Sequence, residues 1–483
     1  MGKKNLKPQP EGWLMTKKER VSYYLGCAGF GGNNGAVGMF LTTYLILTGI
    51  DVRASAVVLL LVKIIDAVDD LLLGWLADRI DFGNRWPGPG KYLPWLRIGV
   101  FILPISTILL FRIPTSFSTI GQLIWYAVFY IIWDIAYTMC DMPNGAISTT
   151  MTKSNDERNL ILSRRYVAMI GLIYPILAVA TVAISEGVGF SVSNTMLVVT
   201  IIFFALSLIE VLNVRERATE PKKDDAPAYS IKQMFTYLKS NRMMLLLYIS
   251  KIALGALTSK LSVFVGFYLF GSSLYSLVYM FGALVPSLVI MALLARVLKK
   301  FDKATVVRFS AGLYVLVMVA IYIIGPGMET LALHYALYIF SLVLASVPVL
   351  VVPMMIPDLA EHGKYYTGID ATGLTFAMGT FVEKLNSAIG SFLGLFLLGM
   401  FGWTAVQASD FAELAALGVE QSQSALSGLW FIHVMLPAIG AALMFILLQF
   451  YKIKDKDIRV IILANNGEIT REEADARLQA QAK

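Results

Sequence analysis

Lys63, Asp66, Asp69 and Asp70 fall inside one apolar run near residues 54–77. Acids are costly at such a depth, so they normally face a protein interior or an aqueous cavity and have a partner there. On a helix Asp66 and Asp70 share a face, and Asp69 sits one turn above Asp66 on the neighbouring strip. Three carboxylates in one sector repel one another; a bound cation, a proton or a base such as Lys63 relieves that repulsion. Oxygen ligands suit a hard cation such as sodium. The alternative is a structural ion-pair network along a watered interface, but clustering at one depth exceeds what helix pairing needs and favours an ion site.

The run near 119–143 supplies Trp133, Asp134, Tyr137, Thr138 and Asp141. Tyr137 and Asp141 share a face, with Trp133 one turn earlier. A carboxylate beside an indole and a phenol suits a sugar: the acid accepts hydrogen bonds from paired hydroxyls, and a ring covers the apolar C–H face. An aromatic stripe alone is more often packing or an interfacial belt, and Asp141 tips the balance toward a polar ligand. Arg164 and Arg165 open the next run, where one of them reaches the pocket or both anchor the cytoplasmic end. Asn33 and Asn34 interrupt the glycine-rich first run with amides suited to a polyol. Glu383 and Lys384 lie inside the eleventh run; Lys384 is a candidate ion partner for the acids of the second helix, with self-pairing or snorkelling as the alternative. Lys251, Lys260 and Glu210 receive no role.

These residues need membrane helices to hold them. The chain has 483 residues, 57% hydrophobic and 15% charged, against about a quarter charged in a soluble domain. Apolar runs near 23–49, 54–77, 94–113, 119–143, 165–186 and 189–212 predict six spans, and runs near 243–269, 273–297, 306–325, 330–356, 371–403 and 427–451 predict six more. The expected fold is all-α and polytopic, twelve transmembrane helices in two six-helix halves, with the first and eleventh spans least regular. The expected divisions are an amino-terminal segment 1–22, halves 23–212 and 243–451, a linker 213–242 and a tail 452–483. Lys and Arg concentrate before the first span and in alternate loops, so both termini are expected in the cytoplasm. No short cleavable apolar core precedes the first span, which is expected to be retained.

Other classes fit poorly. The net charge of +7 comes from loops rather than a basic tract, so nucleic acid is not an expected partner. Cys27 and Cys140 lie within apolar runs, which offers neither a disulfide framework nor a zinc site. His334, His362 and His433 have no metal spacing, which weighs against an enzyme, and the chain lacks a P-loop for an ATP-driven pump.

Gly74, Asp78 and Arg79 in GWLADR resemble the G-x-x-x-D-R motif of the major facilitator superfamily, with a weaker counterpart in ARVLKKFDKA. KIIDAVDDLLLGWLADR followed by GKYLPWLRIG, then YTMCDMP with a downstream DER, then DLAEHGKYYTGIDATG, occur in the order found in the glycoside-pentoside-hexuronide:cation symporter family. The chain resembles that family over most of its length. The resemblance implies a cation site of Asp66, Asp69, Asp70 and Thr138, with Asp66 and Asp70 as ligands if the ion is sodium. It implies a sugar site of Asn34, Trp133, Tyr137, Asp141 and Arg165, with Lys384 as the second-half basic residue near the cation site; Lys63 remains the basic partner suggested by the charges of the second span. Asp69 stands where the melibiose carrier of this family has asparagine, Asn34 where it has a second sugar-binding acid, Asn33 where it has lysine and Gly145 where it has tryptophan. These departures imply a different glycoside.

The expectation is therefore secondary active transport of a sugar or glycoside with sodium or protons, by alternating access and with no cofactor. An uncoupled sugar facilitator or a lysolipid carrier is the alternative. The expected setting is the bacterial inner membrane, with lipid around a functional monomer.

Overall fold

The structure is a computed structural model that describes residues 14–80, 90–152, 154–217, 241–258, 260–282, 284–368 and 372–482. Within α2 the side chains of residues 67–72, 74–75 and 77–79 also lie outside the described set, Asp69 and Asp70 among them. All regular elements among the described residues are helical, and one isolated bridge joins Thr48 to Gln407. Among the described residues, eight helices are long and apolar enough to cross a membrane. Their outer faces carry exposed Val179, Leu212, Phe309 and Ile323, the pattern that lipid rather than water accommodates.

Among the described residues, one unit takes in 14–50, 64–217 and 405–419. It contains α1 (Lys17–Leu47), most of α2 (Val52–Arg79), α3 (Leu93–Leu110), α4 (Thr119–Met151), α5 (Asn155–Ala183) and α6 (Val192–Asn213). The glycine-rich α1 is one continuous 31-residue helix rather than an irregular span. Gly26, Gly29 and Gly32 face α6: a Cβ at Gly26 would lie 1.7 Å from Glu210 Oε2, and one at Gly32 would lie 2.2 Å from the Phe203 ring. Small residues of this kind let two membrane helices approach closely where apolar burial gives no driving force.

Helices of this unit outrun their apolar segments on the cytoplasmic side predicted from the loops, because a helix leaving the hydrocarbon needs no apolar face. There the DER motif has a structural task. Buried Glu157 accepts the Leu14 and Met15 N–H at 3.0 and 3.1 Å and the Thr152 hydroxyl at 2.6 Å, tying the entry of α1 to the α4–α5 turn. Glu216 accepts the Lys91 and Tyr92 N–H at 3.0 and 2.9 Å and that of Leu93, capping α3 at the GKYLPW motif. Glu19 closes a capping box with Thr16 and pairs with Arg217. Burial works against the Glu19 carboxylate, but the Thr16 N–H and hydroxyl and the Arg217 guanidinium hold its carboxyl below the ordinary range. At the other end, segment 405–419 carries α14 (Phe411–Leu417); Ala408 and Phe411 N–H donate to Leu47 and Ile184 carbonyls at 2.9 and 3.1 Å.

The second unit takes in 51–63, 241–404 and 420–482 among the described residues. Its elements are α7 (Arg242–Ala256), α8 (Ser262–Phe270), α9 (Ser276–Phe281), α10 (Leu284–Val297), α11 (Lys303–Ile324), α12 (Leu331–Thr367), α13 (Thr372–Met400), α15 (Gln423–Trp430), α16 (Leu436–Leu448), α17 (Asp455–Asn465) and α18 (Arg471–Ala482). A core of Met244, Leu247, Val307, Val351, Met355, Leu359, Met444 and Leu448 packs α7, α11, α12 and α16.

The irregular spans lie here rather than at the first and eleventh. The seventh breaks between α7 and α8, where polar Thr258 and Lys260 interrupt it, and Lys260 Nζ donates to Ser391 Oγ at 3.3 Å. The eighth breaks between α9 and α10; Pro286 has no N–H for the Gly282 carbonyl one turn earlier. The eleventh, α13, is continuous for 29 residues. The twelfth contains a π-helical turn, Phe431–Met435, whose His433 ring stacks on Tyr338 at 5.3 Å. The tail forms two helices, and Ile458, Ile461 and Ala474 bury against Tyr365.

Candidate functional site

The α4 face expected to meet a sugar is continuous. The Trp133 and Tyr137 rings stack 5.8 Å apart with planes 7° from parallel, and Tyr130 packs on Trp133 at 5.3 Å. Spacing of three and four residues puts all three on one stripe. Trp133 is buried at 3% exposure, Tyr137 is half-buried and Asp141 is exposed, so the stripe opens toward its acidic end. Trp133 therefore backs Tyr137, and Tyr137 with Asp141 offers the accessible surface. Buried Asp134 lies on the same helix next to Trp133.

The two amides of α1 do different things. Asn33 is buried, and its Oδ1 accepts Trp133 Nε1 at 3.0 Å and Thr107 Oγ1 at 3.2 Å, so it fixes the indole between α1, α3 and α4. Asn34 is half-buried, and its Nδ2 donates to the Tyr137 hydroxyl at 3.2 Å. Asp141 follows Tyr137 by one helical turn on the same face of α4 and interacts with its hydroxyl. A bound polyol would exchange donors with this same chain of groups.

Arg165 on α5 completes the set. Its Nη1 donates to the Tyr23 hydroxyl at 3.2 Å, its guanidinium lies 5.2 Å from the Tyr166 ring, and its charge reaches Asp141. Its Nε has no hydrogen-bond partner among the described residues. Arg164, by contrast, is exposed. The structure thus brings Asn34, Trp133, Tyr137, Asp141 and Arg165 together within one unit.

The acid cluster is described in part. Asp66 is buried at 4% exposure, on a helix whose later turns pack Leu73 and Leu76 against Trp95, Ile98, Ile135, Met139 and Met142 of α3 and α4. That packing sets α2 beside the α4 stretch bearing half-buried Thr138. Lys63, three residues before Asp66, belongs to the second unit, where its charge reaches Lys260. In the same unit Glu383 forms an ion pair with Lys251 at 2.6 Å, and Lys384 beside it is half-buried.

Sequence reasoning left Glu210 without a task, yet it is fully buried and both its oxygens accept Asn144 Nδ2 at 3.0 Å. An acid in an apolar run was the available signal; its partners on other helices were not.

Comparison with known proteins agrees with this architecture. The chain is 26% identical over 442 residues to the uncharacterized symporter YnaJ of Bacillus subtilis, covering 87% of this chain and 89% of that one. It is 26% identical over 471 residues to the putative glycoside/cation symporter YagG of Escherichia coli, covering 92% and 94%. The solved nucleoside transporter NupG superposes with a TM-score of 0.60 at 14% identity, over 91% of this chain and 100% of that one, which is a likeness of fold. The description MFS/sugar transport protein matches residues 22–455, and the chain accordingly belongs to that family, of glycoside-pentoside-hexuronide type, as an integral membrane transporter.

Proposed function

We propose that the protein is a secondary active symporter that couples the entry of sodium or protons to the uptake of a sugar or glycoside. The observation that carries this reading is the polar run Asn34–Tyr137–Asp141 with Arg165 facing it, opening from a buried aromatic base, on the helix packed beside the acid-bearing α2. In this reading Asp66, Asp69, Asp70 and Thr138 receive the cation, and Asp66 and Asp70 ligate it if it is sodium. Tyr137, Asp141, Arg165 and Asn34 hydrogen-bond the sugar, Trp133 holds Tyr137 flat beneath it, and Lys63 and Lys384 are the basic partners that the acids exchange for an ion. The similarity to a putative glycoside/cation symporter supports the choice of substrate class.

Binding of the cation relieves repulsion within α2 and orders the adjoining α4 face, raising sugar affinity. By linkage the sugar raises cation affinity by the same factor, which couples the two without ATP. Alternate opening of a site near the midplane of the bilayer then carries both across. Both termini lie in the cytoplasm in this reading, halves 23–212 and 243–451 move about the site, and the protein works as a monomer in a bacterial inner membrane.

Counterflow in proteoliposomes with a panel of glycosides, repeated under separate sodium and proton gradients, tests the proposal. Accumulation of one glycoside class under one gradient supports it. Exchange that is indifferent to both gradients favours an uncoupled facilitator, and uptake of lysolipid alone contradicts it.

A further inference from the structure

Glu210 sits where α1, α4, α5 and α6 meet, and Gly26 leaves the room for it: a Cβ at that position would lie 1.7 Å from Oε2. A carboxylate at such a site needs either a fixed counter-charge or a proton. Its hydrogen-bond partner is neutral. Asn144 Nδ2 donates to both oxygens at 3.0 Å, Asn144 Oδ1 accepts the Cys27 thiol at 3.1 Å, and the Asn144 carbonyl accepts the Tyr23 hydroxyl at 3.2 Å. The titratable groups facing this cluster are Tyr23 and Cys27 from α1, Cys140 from α4 and Arg165 from α5.

Arg165 is the one cation among them within the described residues, and its charge is divided. It reaches both Glu210 and Asp141, yet its Nη1 donates to Tyr23 and its guanidinium lies against the Tyr166 ring rather than on either acid. Two acids therefore share one base, and whichever acid Arg165 leaves must be neutralised in another way.

We propose that Glu210 is a proton-binding site of the transport cycle, separate from the acids of α2, loaded when Arg165 is drawn toward a substrate at Asp141 and emptied when Arg165 returns. The step is a single protonation: a hydronium ion gives its proton to one carboxylate oxygen, which becomes O–H, and leaves as water, with no other covalent bond changed. Rotation of the Asn144 amide then turns its Oδ1 toward the new O–H, and the Cys27 thiol gives up its acceptor. The place of this event in the cycle rests on the symport reading, whereas occupancy by a proton is measured without any transport.

Infrared difference spectra of the full chain in liposomes, recorded on acidification, test it with the proton itself as probe. The wild type is expected to gain a carboxylic acid C=O stretching band that is missing in Glu210→Gln and shifted in frequency in Glu210→Asp. Arg165→Gln, which removes the nearby positive charge, is expected to move the midpoint of that band to higher pH by about one unit or more. If Glu210→Gln does not fold, the frequency shift in Glu210→Asp carries the assignment alone. A spectrum unchanged by either Glu210 substitution, or a midpoint unmoved by Arg165→Gln, overturns the proposal. A band that behaves as expected in a protein that accumulates no sugar under any gradient leaves the proton site standing and removes the symport reading.

Discussion

The Asn34 amide donates to the Tyr137 hydroxyl at 3.2 Å and thereby ties the glycine-rich α1 to the acid-bearing face of α4. Tyr137 stacks in turn on Trp133, which Asn33 holds from the same helix. One pair of adjacent amides thus fixes the floor of the candidate site and supplies part of its rim.

Asp141 is the group with most to lose. Hydrogen bonds to a charged acceptor contribute about 1.5–3 kcal/mol, so Asp141→Asn should weaken binding of the transported glycoside by about 10- to 150-fold. Tyr137→Phe removes one neutral hydroxyl and should cost about 2- to 12-fold. Titration of both purified variants with the glycoside found by counterflow checks the order; a larger loss in Tyr137→Phe would contradict it.

Coupling should appear as a shared factor. Saturating the driving ion is expected to raise sugar affinity by about 5- to 150-fold, and saturating the sugar should raise ion affinity equally. In Asp66→Asn the ion should no longer change sugar affinity, while sugar exchange persists. Calorimetric titration of each ligand in the presence and absence of the other measures both factors.

The α1–α6 crossing yields a prediction with two signs. Gly26→Ala places a methyl group against Glu210 and should destabilise the fold by about 1–3 kcal/mol. Gly145, in the interior of α4, has nothing among the described residues within 4 Å of an added Cβ, so Gly145→Ala should stabilise by about 0.5–1 kcal/mol through its better helix propensity. Thermal unfolding in detergent should show a lower midpoint for the first variant and a slightly raised one for the second.

Acid should loosen the entry of α1 before it affects the core. The folded Glu19 carboxyl lies below its ordinary value, so its contribution is fully present above the unfolded pKa of about 4.3 and is lost as pH falls through the folded value. Protection of amides 16–20, measured as exchange relative to the intrinsic rate at each pH, should fall on going from about pH 6 to about pH 3, and Glu19→Gln should show the lower protection already at pH 6. An acid response equal in both proteins would assign it to another group.

The apolar runs made the helices and the family legible, because bilayer thickness writes itself into segment length. They could not mark the ends of α4, α5 and α12, which continue past the hydrocarbon into sequence with no apolar signal, such as Asp358 to Lys364. Pro286 and the polar stretch around Lys260 were visible as residues, but an apolar window averages over them, so the broken seventh and eighth spans read as whole. Within the candidate site, helical spacing was enough to align Trp133, Tyr137 and Asp141. Helical spacing says nothing about which residues on other helices meet that face. The division of labour between Asn33 and Asn34, the pairing of Glu383 with Lys251 and the Asn144 partner of Glu210 are all tertiary contacts between distant parts of the chain.

The most direct test is the count of ions that enter with each sugar. In proteoliposomes loaded by a single ion gradient, labelled sodium uptake or internal acidification should rise in fixed proportion to glycoside uptake, and Asp66→Asn and Asp70→Asn should abolish that rise. Glycoside that accumulates in the wild type with neither sodium nor protons entering alongside it would contradict the account.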